Sequence, residues 1–135
     1  RIVDASGKTV KKYKADYEDI SDTLTDSQWD ALHSGMREVV STMDRFQGFD
    51  IPVAGKTGTA QQTGHANHGL FVGYAPYDDP EITIAVRIAN GYSSHNAATA
   101  ARNVISYYYK ETSMKDIKEI KAAGANGNIR NSVAD

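Results

Sequence analysis

Val53-Ala54-Gly55-Lys56-Thr57-Gly58-Thr59-Ala60-Gln61 is the stretch of this 135-residue chain in which side chains capable of chemistry are most concentrated. It predicts a strand followed by a polar loop, in spite of its two glycines. At a sheet edge, the free N–H and C=O groups of such a strand could pair with an extended ligand, and Gly58 would let that ligand come close. The charge of Lys56 and the hydroxyls of Thr57 and Thr59 suit a carboxylate, and a backbone N–H could stabilise a developing oxyanion.

Two other interpretations of this stretch have to be weighed. Gly55-Lys56-Thr57 matches the end of the phosphate-binding motif G-x-x-x-x-G-K-[ST], but Asp50 stands where that motif needs its first glycine. The residues after Thr57 are also typical of a strand, whereas the phosphate motif opens a helix. The remaining interpretation is an ordinary strand with a surface lysine. Because Lys56-Thr57-Gly58 is a short and common tripeptide, this interpretation would be favoured if the tripeptide stood alone.

Downstream of this stretch the sequence predicts two more strands. Residues 61–69 are polar and rich in Gly, His and Asn, which is typical of a loop, and residues 70–75 form an apolar run. Residues 76–80 form a turn with a proline at each end, and residues 81–89 alternate between apolar and more polar side chains. Links this short favour an antiparallel meander. The apolar positions of the last strand are Ile82, Ile84, Val86 and Ile88.

Two helices flank the strands, and an exposed hairpin with its turn at residues 5–8 precedes them. Thr25 and Gln28 form a capping box at the start of the first helix, and Ser93 or Ser94 caps the second. Both helices have an apolar stripe at helical spacing, which we assign to the core. The stripe of the first helix is Trp29, Leu32, Met36, Val39, Val40 and Met43. The stripe of the second helix is Ala97, Ala101, Val104, Ile105 and Tyr108.

The predicted fold is therefore α+β, with an antiparallel sheet packed against helices. In this context the opening stretch resembles the third active-site motif, K-T-G, of penicillin-binding proteins and serine β-lactamases. The resemblance extends over residues 1–110, is densest at 52–109, and is closer to class B than to class A enzymes. It implies a partial transpeptidase fold of the penicillin-binding-protein type. Residues 111–135 are polar and small, which predicts a polar C-terminal tail after a short amphipathic turn. Further matching segments are Gly35–Val40, Phe71–Pro76, Asp79–Ile82, Ala97–Ala98 and Tyr107–Tyr109.

The resemblance implies a role for each residue of the motif. Lys56 would lend positive charge to the site and join the network around the catalytic serines. The hydroxyls of Thr57 and Thr59 would hold the carboxylate of a D-Ala-D-Ala terminus or of a β-lactam. The backbone N–H of Thr59 would be half of the oxyanion hole, Gly58 would permit close approach, and Gln61 would act from further out.

The chain lacks the first motif of this family, which is the S-x-x-K that supplies the nucleophile. No serine here has a lysine three residues on. The second motif, S-x-N, occurs only as Ser94-His95-Asn96, which follows the K-T-G stretch instead of preceding it and is better explained as a helix cap. We therefore expect the nucleophile in an upstream half of the same domain, and we expect this chain alone to be inactive.

Composition excludes several other functions. A net charge of −2 does not favour nucleic acid, and the absence of cysteine removes disulfides, thiolate catalysis and cysteine-ligated zinc. His65 and His68 are three residues apart in the predicted loop, but no third ligand is evident, so a polar loop is favoured over a metal site. No metal and no cofactor is expected. No apolar run is long enough to span a bilayer, so we expect any membrane anchor upstream.

The expected intact enzyme cross-links peptidoglycan at the extracytoplasmic face of the bacterial membrane, through an acyl-serine intermediate. Its expected partners are the D-Ala-D-Ala stem peptide, β-lactam antibiotics, the upstream half of its own domain and the cell-wall synthesis machinery. Three other functions stay open from the sequence. They are a β-lactam sensor that acylates without turnover, a β-lactamase, and an interaction module built on a degenerate fold.

Overall fold

The computed structural model describes residues 1–14 and 16–113. Most of the predicted tail, residues 114–135, lies outside the described residues, and so does the short amphipathic turn expected there. The order of elements along the chain agrees with the sequence prediction. These elements are β1 (Ile2–Val3), β2 (Thr9–Lys11), α1 (Asp26–Ser41), β3 (Ala54–Ala60), β4 (His68–Ala75), β5 (Ile82–Ile88) and α2 (Ser94–Tyr108).

The main sheet has three strands in the order β3-β4-β5, and both pairs are antiparallel. Thr57 is opposite Phe71, which is opposite Val86, so one register runs across the whole sheet. This confirms the predicted meander. Strand β4 begins two residues earlier than predicted, because His68 and Gly69 pair with the end of β3 instead of belonging to the loop.

The core lies where the Phe71 face of the sheet meets α2. Phe71 is fully buried and its ring stacks on Phe46 with centroids 6.1 Å apart. Of the predicted stripe of α2, Ala97, Ala101 and Ile105 are fully buried, which confirms those three positions. The prediction was wrong for the other two positions of the stripe. Val104 and Tyr108 are each 53% exposed.

Helix geometry explains the error in α2. The fully buried apolar residues of this helix are Ala97, Ala98, Ala101 and Ile105, on the side that packs against the sheet. With about 3.6 residues per turn, Val104 and Tyr108 lie on the same side as Ala97 but about two to three turns further along the helix, where they are half exposed in the described chain. Apolar periodicity alone cannot separate a face that packs within the described chain from one that does not.

Helix α1 begins as predicted, because the side chain of Gln28 accepts the backbone N–H of Thr25 at 2.9 Å. It ends at Ser41, so Met43 lies beyond it. His33 contacts the ring of Tyr74, which is on the opposite face of β4 from Phe71. The assignment of the whole α1 stripe to the core was wrong, since Val40 is fully buried but Leu32 is 47% exposed.

Candidate active site

Strand β3 holds the K-T-G stretch at one edge of the described sheet, where only β4 pairs with it. Lys56 is exposed, and its Nζ donates to the backbone carbonyl of Thr57 at 3.0 Å. Thr57, Gly58 and Thr59 are each partly buried. The strand conformation rules out the phosphate-loop interpretation, because that motif requires a helix after its lysine.

The pleat of β3 divides the predicted site residues between two faces. Lys56 and Gly58 are opposite Val72 and Leu70. Thr57 and Thr59 alternate with them and therefore lie on the Phe71 side, toward α2. The structure thus brings the four residues together along one strand edge and not on one face. A ligand that pairs with this edge would have the lysine on one side of its backbone and both threonines on the other.

Gly55 and Gly58 of β3 differ in how much room their surroundings leave for a side chain. A Cβ added to Gly55 would lie 2.5 Å from Cζ of Phe71 and 2.8 Å from the carbonyl oxygen of Val72, so the packing of the sheet demands a glycine there. A Cβ added to Gly58 would meet only Leu70, at 3.4 Å, which is ordinary contact. Sequence reasoning singled out Gly58 and missed Gly55. The described packing does not require Gly58.

The loop between β3 and β4 borders the end of the K-T-G strand. Gln61 and His65 are exposed in it. His68 lies in β4 and accepts the backbone N–H of Asn90 on its Nδ1, at 3.0 Å, so that lone pair is already used. Within residues 1–14 and 16–113, no group of three or more His, Cys, Asp or Glu side chains is placed to hold a metal ion.

Ser94-His95-Asn96 opens α2, as the helix-cap interpretation predicted. The cap is Ser93, whose Oγ accepts the backbone N–H of His95 at 3.1 Å. Asn96 is buried and donates from Nδ2 to the carbonyl of Gly91 at 2.9 Å. These contacts stabilise the helix start and the turn before it, which gives His95 and Asn96 a structural role.

One ionisable group on the lysine face has a perturbed pKa. Burial raises the pKa of the Tyr74 phenol, and the neighbouring Tyr77 adds to the effect. The two rings stack with their centroids 6.4 Å apart. Tyr74 is therefore neutral at physiological pH and forms, together with His33, a packed aromatic surface at the Ala54 end of β3. In the described part of the chain, no helix is long and apolar enough to cross a membrane.

Comparison with known proteins identifies the family. The model of the penicillin-binding protein transpeptidase domain matches residues 2–106. The chain is 37% identical to peptidoglycan D,D-transpeptidase MrdA of Acinetobacter baumannii, over 62% of this chain and 15% of that protein. It is 34% identical to MrdA of Haemophilus influenzae, over 70% of this chain and 18% of that protein.

A solved structure agrees with these relatives. Penicillin-binding protein A of M. tuberculosis, solved as an imipenem acyl-enzyme complex, superposes with a TM-score of 0.53 at 27% identity, over 59% of this chain and 19% of that one. The chain spans less than a fifth of the length of the two MrdA proteins, and the predicted partial α+β fold is confirmed. On this evidence the chain belongs to the penicillin-binding protein transpeptidase family.

Proposed function

We propose that this chain is the K-T-G portion of a peptidoglycan D,D-transpeptidase that cross-links stem peptides through an acyl-serine intermediate. The main support for the proposal is that Lys56-Thr57-Gly58-Thr59 lies on an edge strand of the described sheet, and that the described packing does not require a glycine at position 58. The relatives that match this chain are D,D-transpeptidases by name. We assign the protein to class B because both relatives are MrdA enzymes.

Each residue of the motif has a proposed task at the reacting carbonyl. The serine of the upstream half attacks the D-Ala-D-Ala amide carbon, and D-Ala leaves as the acyl-enzyme forms. The backbone N–H of Thr59 donates to the oxyanion of the tetrahedral intermediate. The hydroxyls of Thr57 and Thr59 hold the terminal carboxylate, and Lys56 adds positive charge.

Two residues complete the proposed site. Gly58 leaves room for the substrate backbone to pair with β3. Gln61 follows the strand at the exposed start of the loop and contacts the substrate only at its periphery. No metal and no cofactor takes part. An amine of a neighbouring stem peptide then attacks the acyl-enzyme and forms the cross-link.

The chain alone is proposed to be inactive, because no S-x-x-K occurs in it. Residues 1–110 would complete the domain only by packing on an upstream half, and residues 111–135 would form a polar tail. Val104 and Tyr108 offer apolar surface for such packing. The active domain would be at the extracytoplasmic face of the bacterial membrane, held by an upstream anchor and acting with other cell-wall synthesis proteins.

The experiment that tests this function is intact-mass analysis of the native protein after incubation with benzylpenicillin. We expect one penicilloyl adduct on an upstream serine and none on residues 1–135. An adduct within these residues would contradict the proposal. Rapid loss of the adduct with release of penicilloate would indicate a β-lactamase. A stable adduct in a protein that does not cross-link stem peptides would indicate a sensor.

A matched pair of variants tests the role of the motif. Thr59→Val removes the hydroxyl proposed to bind the carboxylate, and we expect the acylation rate constant to fall about tenfold to a hundredfold, since a hydrogen bond to a charged group contributes roughly 1.5–3 kcal/mol. The control is Thr83→Val, an exposed threonine of β5 at the far edge of the sheet. Equal rate constants for the two variants would refute the assignment.

A further inference from the structure

The turn between β5 and α2 has an unusual backbone. Asn90 and Tyr92 both have positive φ, at 53° and 66°, although neither is a glycine. Asn adopts this conformation readily, but for Tyr92 it costs on the order of 1 kcal/mol, so it persists there only where surrounding contacts impose it. Strained backbone of this kind clusters at functional sites. The contacts that impose it here are therefore informative.

Those contacts come from the start of β4. His68 Nδ1 accepts the backbone N–H of Asn90 at 3.0 Å, and the carbonyl of Asn67 accepts that of Tyr92 at 2.9 Å. A Cβ added to Gly69 would lie 2.4 Å from the carbonyl oxygen of Ser93, so the two backbones are in direct contact. Three consecutive residues of the chain thus bind the strained turn. His68 does so through its side chain.

The same residues also fix the end of the K-T-G strand. His68 is opposite Ala60, and Gly69 is opposite Thr59, whose backbone N–H is the proposed oxyanion donor. Since β4 is the sole strand paired with β3 in the described sheet, it sets where that donor lies. A change in how β4 meets the turn is therefore transmitted directly to Thr59.

We propose that His68 is a positioning residue for the transpeptidase reaction, which holds the start of β4 on the β5–α2 turn through an Nδ1 that must be unprotonated. The inference rests on the proposed function only for its effect on rate. Because the donor is a backbone N–H, Nδ1 has to act as acceptor. Protonation at Nδ1 places two donors opposite each other and breaks this hydrogen bond. Acid then loosens the turn and displaces Thr59.

Other charged or titratable groups surround His68 and have to be separated from it. Lys56 of β3 and Arg87 of β5 lie on the same face of the sheet as His68. His65 precedes it in the loop, and His95 lies at the start of α2. The variant His65→Asn therefore serves as the control, and it should not change the acid response described below.

The test is the acylation rate constant of the intact protein with benzylpenicillin, measured from neutral pH into acid. The oxygen of His68→Asn takes the place of Nδ1 and does not titrate. We expect this variant to keep the wild-type rate at neutral pH and to lose the fall in acid. His68→Leu has no acceptor and should be slower about tenfold or more at every pH. Identical acid profiles for wild type and His68→Asn would overturn the proposal.

A second measurement keeps the inference separate from the proposed function. Amide hydrogen exchange of residues 89–93 in the intact protein reports the turn without any reaction. At acid pH we expect faster exchange in wild type than in His68→Asn, and at neutral pH faster exchange in His68→Leu than in either. Equal exchange in all three would overturn the role of His68. A wild type that shows this pattern but never reacts with benzylpenicillin would refute the proposed function and leave the contact standing.

Discussion

Gly55→Ala should destabilise the protein although the change adds a single methyl group. The new Cβ would lie 2.5 Å from the Phe71 ring, against 3.4 Å for ordinary contact, and 2.8 Å from the carbonyl oxygen of Val72. The Phe71 ring is fully buried and stacks on Phe46, and the Val72 carbonyl belongs to the strand paired with β3, so neither group can move freely. Overpacking of this kind costs about 1–3 kcal/mol. The contacts of 2.5 and 2.8 Å put this cost at the upper end, about 3 kcal/mol, and the loss of glycine flexibility in the unfolded chain returns roughly 0.5–1 kcal/mol, leaving a net loss of about 2–2.5 kcal/mol.

The assay is urea denaturation of Gly55→Ala beside Gly58→Ala, followed by acylation of both with benzylpenicillin. Gly58→Ala adds the same methyl to the same strand, but that methyl meets only Leu70 at 3.4 Å, so we expect stability to be unchanged or slightly higher. Its acylation rate constant should fall, since the methyl would stand on the Lys56 side of the strand edge at which the ligand would pair. An unfolding midpoint of Gly55→Ala equal to wild type would refute the packing argument. A Gly58→Ala variant that is unstable would refute the claim that this glycine serves a ligand.

Two further predictions concern local structure. Ser93→Ala removes the cap of α2, and we expect a loss of about 1 kcal/mol in the free energy of unfolding, with Ser27→Ala in α1 as the control. Hydrogen bonds from the Ser6 hydroxyl and from the Lys8 backbone N–H lower the pKa of Asp4 below the usual aspartate value of 3.8. The ionised carboxylate therefore stabilises the β1–β2 turn fully above pH 3.8, and this stabilisation is lost as the pH falls through the lowered pKa. Amide NMR shifts of the hairpin should follow this titration in wild type and not in Asp4→Asn, and a turn that stays unchanged in acid would contradict the assignment.

Much of the fold follows from local sequence signals. The capping box at Thr25, the proline turn at residues 76–80 and the alternation from Ile82 to Ile88 each depend on neighbouring residues alone, and the structure has all three. The start of β4 could not be predicted this way. His68 and Gly69 have a loop-like composition, and they belong to the strand because of their pairing with Ala60 and Thr59, which is a tertiary contact.

The candidate site, like the fold, could be predicted from local sequence only in part. The motif from Lys56 to Thr59 was found from residue types, but its distribution over the two faces of β3 required the register with β4. Gly55 was missed because its neighbour Phe71 is 16 residues away in the chain. His68 was noticed only as a possible metal ligand, because its hydrogen bond to Asn90 spans 22 residues and has no local signal.

The exposed apolar surface links the fold to the proposed function. Val104 and Tyr108 on α2 and Leu32 on α1 were assigned to a core from their spacing, and each is about half exposed in the described chain. Helical periodicity records which faces a sequence buries in its complete context. A chain that matches less than a fifth of its relatives' length, and that has apolar helix faces with the periodicity of core residues, is best explained as part of a larger packed domain. We propose that the upstream half, with its serine, packs on the residues that the sequence predicted to be buried and the structure leaves exposed.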